Sequence, residues 1–176
     1  MIALLITPVI ASGNCGAKGI PRFEQFTAGE LFRGKVHTPL LTTHLARKFR
    51  TSVRWAVEEG VNFGGHYVVA TWGCGTGCAQ FAIIDAITGT VYDPPFSAVY
   101  FHYSFALNKT WPDFDAEGKW WCEDFVTFKL TSRLLVAEGC IADSQCGRTY
   151  FTMTPTKLKQ VYFDPDLSPD GTVAPP

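Results

Sequence analysis

The chain lacks any hydrophobic run long enough to cross a membrane. None of its apolar stretches approaches the roughly 18–20 residues that a spanning helix requires. It also lacks a surplus of positive charge, because 15 Lys and Arg stand against 16 Asp and Glu, for a formal net charge of −1. Proteins that bind nucleic acid without sequence preference need a strong excess of basic residues. The balance therefore argues against that class.

Glycine and proline are present only in ordinary amounts, so the composition is not that of a disordered chain. There are 16 Gly and 11 Pro among 176 residues. The length is that of one domain and is sufficient to bury a sizeable core. Aromatic residues, by contrast, make up a high 14% of the chain. The composition predicts a single folded domain, which we place at residues 14–163.

The N-terminus is typical of part of a secretion signal. Its apolar stretch has the length of a signal-peptide core, and Ala11 and Gly13 supply the small residues expected before a cut at Asn14. The positive residues that normally precede such a core are missing, so a buried N-terminal strand is the alternative. We expect residues 1–13 to be a signal remnant and the protein to be periplasmic or secreted.

One helix is predicted with clear start and stop signals, over about residues 43–59. Thr42 or Thr43 is a suitable N-cap, and Gly60 is a natural residue after the helix end. Apolar residues recur at helical spacing between them and form one stripe: Leu45, Phe49, Val53, Ala56 and Val57. The stripe predicts a helix packed on a sheet.

Strand patterns fill most of the remaining chain. A three-strand antiparallel meander is expected near 65–72, 80–85 and 90–93, followed by strands near 125–130, 133–138, 148–153 and 158–163. We therefore predict an α+β fold with an antiparallel sheet of about six or seven strands and one main amphipathic helix. Residues 96–124 form an aromatic, aperiodic insertion that either binds a ligand or covers the sheet. Residues 164–176 are expected to be a disordered tail.

Six cysteines in a short, exported chain favour disulfides, although six allow 15 full pairings. Cys140 and Cys146 flank a short turn, so we expect them to pair. This leaves Cys15 with Cys122, unless Cys122 pairs with one of the two cysteines in the first hairpin.

Those two cysteines, Cys74 and Cys78, have three interpretations. A disulfide is favoured, a zinc site is disfavoured by an oxidising compartment, and a catalytic thiolate needs His66 as base and Asp85 or Asp93 to orient it. His66 begins the preceding strand and Cys74 follows its other end, a separation of roughly 25 Å. That distance argues against a direct pair. We expect no metal and no cofactor.

The segment around these cysteines is the candidate binding site. Three glycines among residues 73–78 favour a tight turn, which would present Gly75 and Thr76 beside Trp72, with His66 as a further contact residue. The favoured hypothesis is a non-catalytic binding or inhibitor module that recognises a protein or small molecule outside the cytoplasm. The alternative is a cysteine-dependent hydrolase or thiol oxidoreductase that uses Cys74, Cys78 and His66.

The same segment carries a resemblance. Asn62-Phe-Gly-Gly-His-Tyr67 followed by Trp72-Gly-Cys-Gly-Thr-Gly-Cys78 resembles the N-F-x-G-H-Y…W-G-C-G-T-x-C core of a family of uncharacterised bacterial exported proteins. Ser132-Arg-Leu-Leu-Val136 and Cys146-Gly-Arg-Thr-Tyr150 extend the likeness over roughly residues 43–163. The resemblance implies export and a single domain, and it implies no activity.

Overall fold

The computed structural model describes residues 19–100, 125–141 and 145–165. The expected signal remnant, residues 101–124 of the insertion, Cys15, Cys122 and the chain beyond residue 165 lie outside the described residues. Within them are one short 3-10 helix (Phe23–Gln25), two α-helices and eight strands: α1 His44–Lys48, α2 Arg50–Glu59, β1 Tyr67–Gly75, β2 Cys78–Asp85, β3 Val91–Tyr92, β4 Val99–Tyr100, β5 Val126–Phe128, β6 Leu134–Cys140, β7 Cys146–Met153 and β8 Leu158–Pro165. In the described part of the chain, no helix is long and apolar enough to span a membrane.

The helical segment starts and ends where its cap residues predict. The Thr43 hydroxyl accepts a hydrogen bond from the Ala46 backbone N–H at 3.0 Å, and Gly60 follows α2 with a φ of 93°. The segment is two helices rather than one, because Phe49 leaves the helical conformation with φ −109° and ψ 31°. This bend places the Phe49 ring against Trp72 of β1, with ring centroids 4.6 Å apart.

The sheet confirms the predicted α+β class. Its strands follow the order β1-β2-β4-β6-β7-β8, with β3 on β2, β5 on β6 and every pairing antiparallel. The strand count is eight, one more than the upper expectation, because β4 lies inside the segment expected to be aperiodic. β3 and β4 share the same edge of β2, one at each end of that strand.

One face of the sheet curls around an apolar core. The Tyr92 hydroxyl donates to the Pro155 carbonyl at 3.2 Å, although β3 and the β7–β8 turn are far apart in the strand order. Phe96 lies between Phe81 and Phe151, with centroid distances of 5.6 and 5.4 Å. These contacts require a strongly curved sheet. We call this concave side the inner face.

The opposite side, the outer face, is covered by the helices at β1, β2 and β3. Ala46 and Val53 are fully buried there against Val68 and Ile84. Side chains alternate along a strand, so neighbouring apolar residues of β2 fill both cores. This explains why the sequence of β2 is apolar without a polar face.

Candidate functional site

The hairpin tip, defined here as residues 73–78, joins β1 to β2. The strands pair regularly up to Gly73 and Ala79, and the register then shifts so that Gly75 faces Cys78. Gly75 and Gly77 have φ angles of 133° and 65°, which side chains with a Cβ rarely adopt. Cys74 is bonded to Cys78, with Cα atoms 5.2 Å apart. Of the interpretations that the sequence left open, the disulfide between Cys74 and Cys78 is the one that the structure contains.

The tip faces solvent. Its residues from Gly73 to Thr76 are exposed, and no heavy atom of the described residues lies within 4 Å of a Cβ built on Gly75. Cys78, by contrast, is only 7% exposed. The disulfide therefore joins an exposed cysteine to a buried one. Gly75 and Thr76 are therefore accessible to a binding partner.

Trp72 lies at the base of the hairpin tip and stabilises it through side-chain contacts. Its ring stacks on Phe49, and its Nε1–H donates to the Gln80 side-chain oxygen at 3.1 Å. The Gln80 side-chain nitrogen in turn donates to the Ser97 carbonyl at 2.9 Å. These contacts tie the base of the hairpin to the helices and to the segment before β4. The tip is thus held both covalently and by packing.

Sequence reasoning selected Trp72 but missed the residues that hold it. The Trp72–Gln80 contact follows from the hairpin register, because the two residues are directly opposite each other once the tip is known. Phe49 and Ser97 are distant in sequence, and no local pattern connects them to Trp72. Phe49 was visible only as a member of the helix stripe.

The second disulfide is the one expected from the sequence. Cys140 of β6 is bonded to Cys146 of β7, with Cα atoms 4.0 Å apart. Both cysteines are buried, at 5% and 0% exposure. This bond closes the β6–β7 hairpin and leaves no sulfur at the surface.

His66 and Asp85 are brought together, but far from the cysteines. Asp85 faces Tyr67 in the β1–β2 register, and the Ala86 backbone N–H donates to the His66 carbonyl at 2.9 Å. Cys74 is eight residues from His66 along an extended strand, which corresponds to about 26 Å. The structure therefore divides the candidate residues between the two ends of one hairpin.

At the His66 end, Asp85 serves the turn after β2. One of its carboxylate oxygens accepts from the Ile87 N–H at 2.8 Å and from the Thr88 N–H at 3.4 Å. The His66 ring lies against Tyr67, with centroids 4.0 Å apart. The Asp85 carboxylate and the His66 ring are therefore both engaged in contacts with residues close to them in sequence.

Tyr67 is the most strongly perturbed acid in this region. Burial raises its pKa to about 12, and the Asp85 carboxylate and Tyr92 add to the rise, while Arg133 opposes it. The phenol is consequently protonated at neutral pH. Within residues 19–100, 125–141 and 145–165, no group of three or more His, Cys, Asp or Glu residues is placed to hold a metal ion.

Comparison of the chain with protein-family models, with curated proteins and with solved structures found no match in any of the three.

Proposed function

We propose that the protein is an exported, non-catalytic binding or inhibitor module whose hairpin tip inserts into a cleft of its partner. The observation that carries this proposal is the exposed loop of Gly75 and Thr76, closed by a disulfide and supported by the Trp72 stack. A loop that is already ordered loses little conformational entropy on binding. Rigidity at an exposed position is thus useful for recognition.

Two further observations support the compartment and the mode of binding. Two disulfides form and persist in an oxidising, extracytoplasmic compartment, in line with the resemblance to exported proteins. From residue 67 to residue 84 the hairpin carries no charged side chain. A small, neutral tip fits a narrow cleft, where shape and backbone hydrogen bonds provide specificity.

The alternative enzyme hypothesis has less support from the geometry. A cysteine-dependent hydrolase needs a free thiolate beside a base, whereas Cys74 and Cys78 are bonded to each other and His66 lies at the other end of β1. Labelling of the native, oxidised protein with a thiol-directed probe separates the two hypotheses. Modification of Cys74 or Cys78 under those conditions would favour the enzyme.

The binding proposal is tested by partner capture from the extracytoplasmic fraction of the source cell. Oxidised protein is immobilised and compared with the Thr76→Arg variant, which adds a long charged side chain to the tip. Thr156→Arg is the matched control, because Thr156 is an exposed threonine in the β7–β8 turn. We expect Thr76→Arg to lose the captured partner by about tenfold or more, since a bulky group at a fitted tip blocks insertion.

The control variant should retain the partner at the wild-type level. Intact mass and thermal unfolding establish that both variants keep their disulfides and fold. Equal retention by both variants would show that the tip is not the contact surface. Equal loss by both would indicate that the surface is broader than the tip, which also contradicts the proposal.

A further inference from the structure

Positive charge is concentrated in one segment of this nearly neutral chain. Residues 31–57 contain six Lys and Arg and no Asp or Glu: Arg33, Lys35, Arg47, Lys48, Arg50 and Arg54. Removing these six from the 15 basic residues leaves nine against 16 acidic ones, so the rest of the chain has a net charge of −7. Such a division gives this segment a positive electrostatic potential, which acts on partners rather than on the fold.

The six residues belong to the segment that covers the outer face of the sheet. The segment that carries them packs its apolar residues onto the outer face of the sheet, as Val36, Leu45 and Val57 show. All six basic residues are exposed. We call them the basic face. It forms the solvent side of the layer that covers β1, β2 and β3.

No carboxylate in the described part of the chain forms an ion pair with the basic face. Among the described residues, ion pairs join Lys129 to Glu24 and Arg148 to Glu138, and none involves the six. Arg47 does donate to two backbone carbonyls before α1, which fixes its side chain. Clustered like charges repel one another, and a partner of opposite sign relieves that repulsion.

A large apolar side chain borders the basic face. Trp55 of α2 is 65% exposed, immediately after Arg54. Tryptophan and arginine are the residue types that contribute most to protein–protein binding energy. Glu58 and Glu59 follow Trp55 by three and four residues and share its side of the helix. A bilayer is flat and would bring anionic headgroups against both glutamates together with Trp55, whereas a peptide can lie along the arginine side of the helix alone. A peptide segment of a protein therefore fits better than a membrane.

We propose that the basic face, with Trp55 at its border, is a docking surface for an acidic peptide segment of a protein partner. Arg50 and Arg54 are four residues apart on α2 and face the same way. Guanidinium groups at this spacing can each bind a carboxylate through two parallel hydrogen bonds. This surface is separate from the hairpin tip and does not depend on the function proposed for the tip.

The first test uses a synthetic peptide that contains a run of glutamates, with the same peptide carrying glutamines as its reference. Backbone amide and tryptophan indole NMR signals of the full-length protein locate the contact. We expect the glutamate peptide to shift signals of α1, α2 and the Trp55 indole, with an affinity that falls as salt is added. The glutamine peptide should shift none of them.

Two charge-reversal pairs separate a docking surface from general attraction. Arg50→Glu/Arg54→Glu changes the basic face, and Lys157→Glu/Lys159→Glu makes the same change in net charge at exposed sites around β8. We expect the arginine pair to lose at least about tenfold in affinity and the lysine pair less than about twofold, because only the arginines contact the peptide. Circular dichroism establishes that both variants fold.

Three outcomes would overturn the proposal: equal loss in both pairs, shifts scattered outside the basic face and Trp55, or binding to anionic lipid vesicles in place of the peptide. The Thr76→Arg variant of the hairpin tip should bind the peptide like the wild type. The two proposals therefore fail separately, since Thr76→Arg tests only the tip and the arginine pair tests only the basic face.

Discussion

Cys78 on β2 and Cys140 on β6 both pair with Tyr100 on β4, so the two disulfides lie in one row across the same end of the sheet. Cys146 extends this row to β7. Residues directly opposite each other in a sheet point to the same face, so all of these side chains belong to the outer face. The end of the sheet that carries the hairpin tip is thus held by two covalent bonds, and the end with His66 by hydrogen bonds and packing.

The two disulfides should differ in their reaction with reductant. Cys74 is exposed, while Cys140 and Cys146 are both buried, and exchange requires a thiolate to reach a sulfur atom. We expect limited reduction with a small thiol, followed by alkylation and peptide mapping, to modify Cys74 and Cys78 first. Closing so short a loop contributes only about 2 kcal/mol, so the partly reduced protein should stay folded. Simultaneous or reversed reduction would contradict this order.

Gly139, beside Cys140, should be intolerant of any side chain. Its φ is 134°, and an added Cβ would overlap the Tyr100 carbonyl oxygen on the neighbouring strand. We expect Gly139→Ala to lower the free energy of unfolding by about 3 kcal/mol, from backbone strain together with the clash. Gly73→Ala is the matched control, because its nearest contact is the Cys78 carbonyl oxygen at 3.9 Å and its φ is ordinary.

Urea denaturation of both variants gives the comparison. The control should stay within about 0.5 kcal/mol of the wild type. Similar stability of the two variants would mean that β4 can move away from β6 at little cost. The row of cysteines would then be less rigid than the structure indicates.

Much of the fold is local and could therefore be predicted. The Thr43 cap, the Gly60 stop and the first hairpin all depend on residues close in sequence. The predicted helix over 43–59 failed only at Phe49, where the ring turns toward Trp72. That contact is tertiary, and helical periodicity carries no information about it.

The candidate site was predicted only in part for the same reason. Gly75, Thr76 and the Cys140–Cys146 pair followed from turn composition and short spacing. The row that places both disulfides at one end depends on β4, which lies within a segment that has no strand pattern. Pairing of β4 with β2 and β6 is decided by packing across the sheet, so the sequence of β4 alone gives no sign of it.

Stability should fall at high pH because of Tyr67. Its folded-state pKa is about 12 against an ordinary value of 10.0, so the folded protein keeps a proton that the unfolded chain releases. The stabilisation is complete below pH 10 and is lost as the pH rises toward 12, at up to about 1.4 kcal/mol per pH unit. Urea denaturation across this range measures the loss.

The Tyr67→Phe variant assigns the effect to this residue. In this variant, most of the loss of stability between pH 10 and pH 12 should disappear, because phenylalanine has no proton to release. Burial also raises the pKa of Tyr92 and of Tyr150, so a smaller slope should persist. An unchanged slope in the variant would show that another group causes the decline.

Thr149 is a residue whose substitution should raise the stability of the protein. It is fully buried on β7, and its hydroxyl has no hydrogen-bond partner among the described residues. A buried hydroxyl without a partner loses its hydration and gains nothing in return. Thr149→Val replaces the hydroxyl with a methyl group of similar size. We therefore expect the free energy of unfolding to rise by about 1 kcal/mol.

Thr152→Val on the same strand is the control, because Thr152 is only partly buried. Urea denaturation should place this variant within about 0.5 kcal/mol of the wild type. A loss of stability in Thr149→Val would show that the hydroxyl is bonded in solution, either to a buried water or to part of the chain outside the described residues. The gain follows from the apolar surroundings of Thr149, since Ala137 is its partner on β6 and Phe151 is the next residue of β7 on the same face.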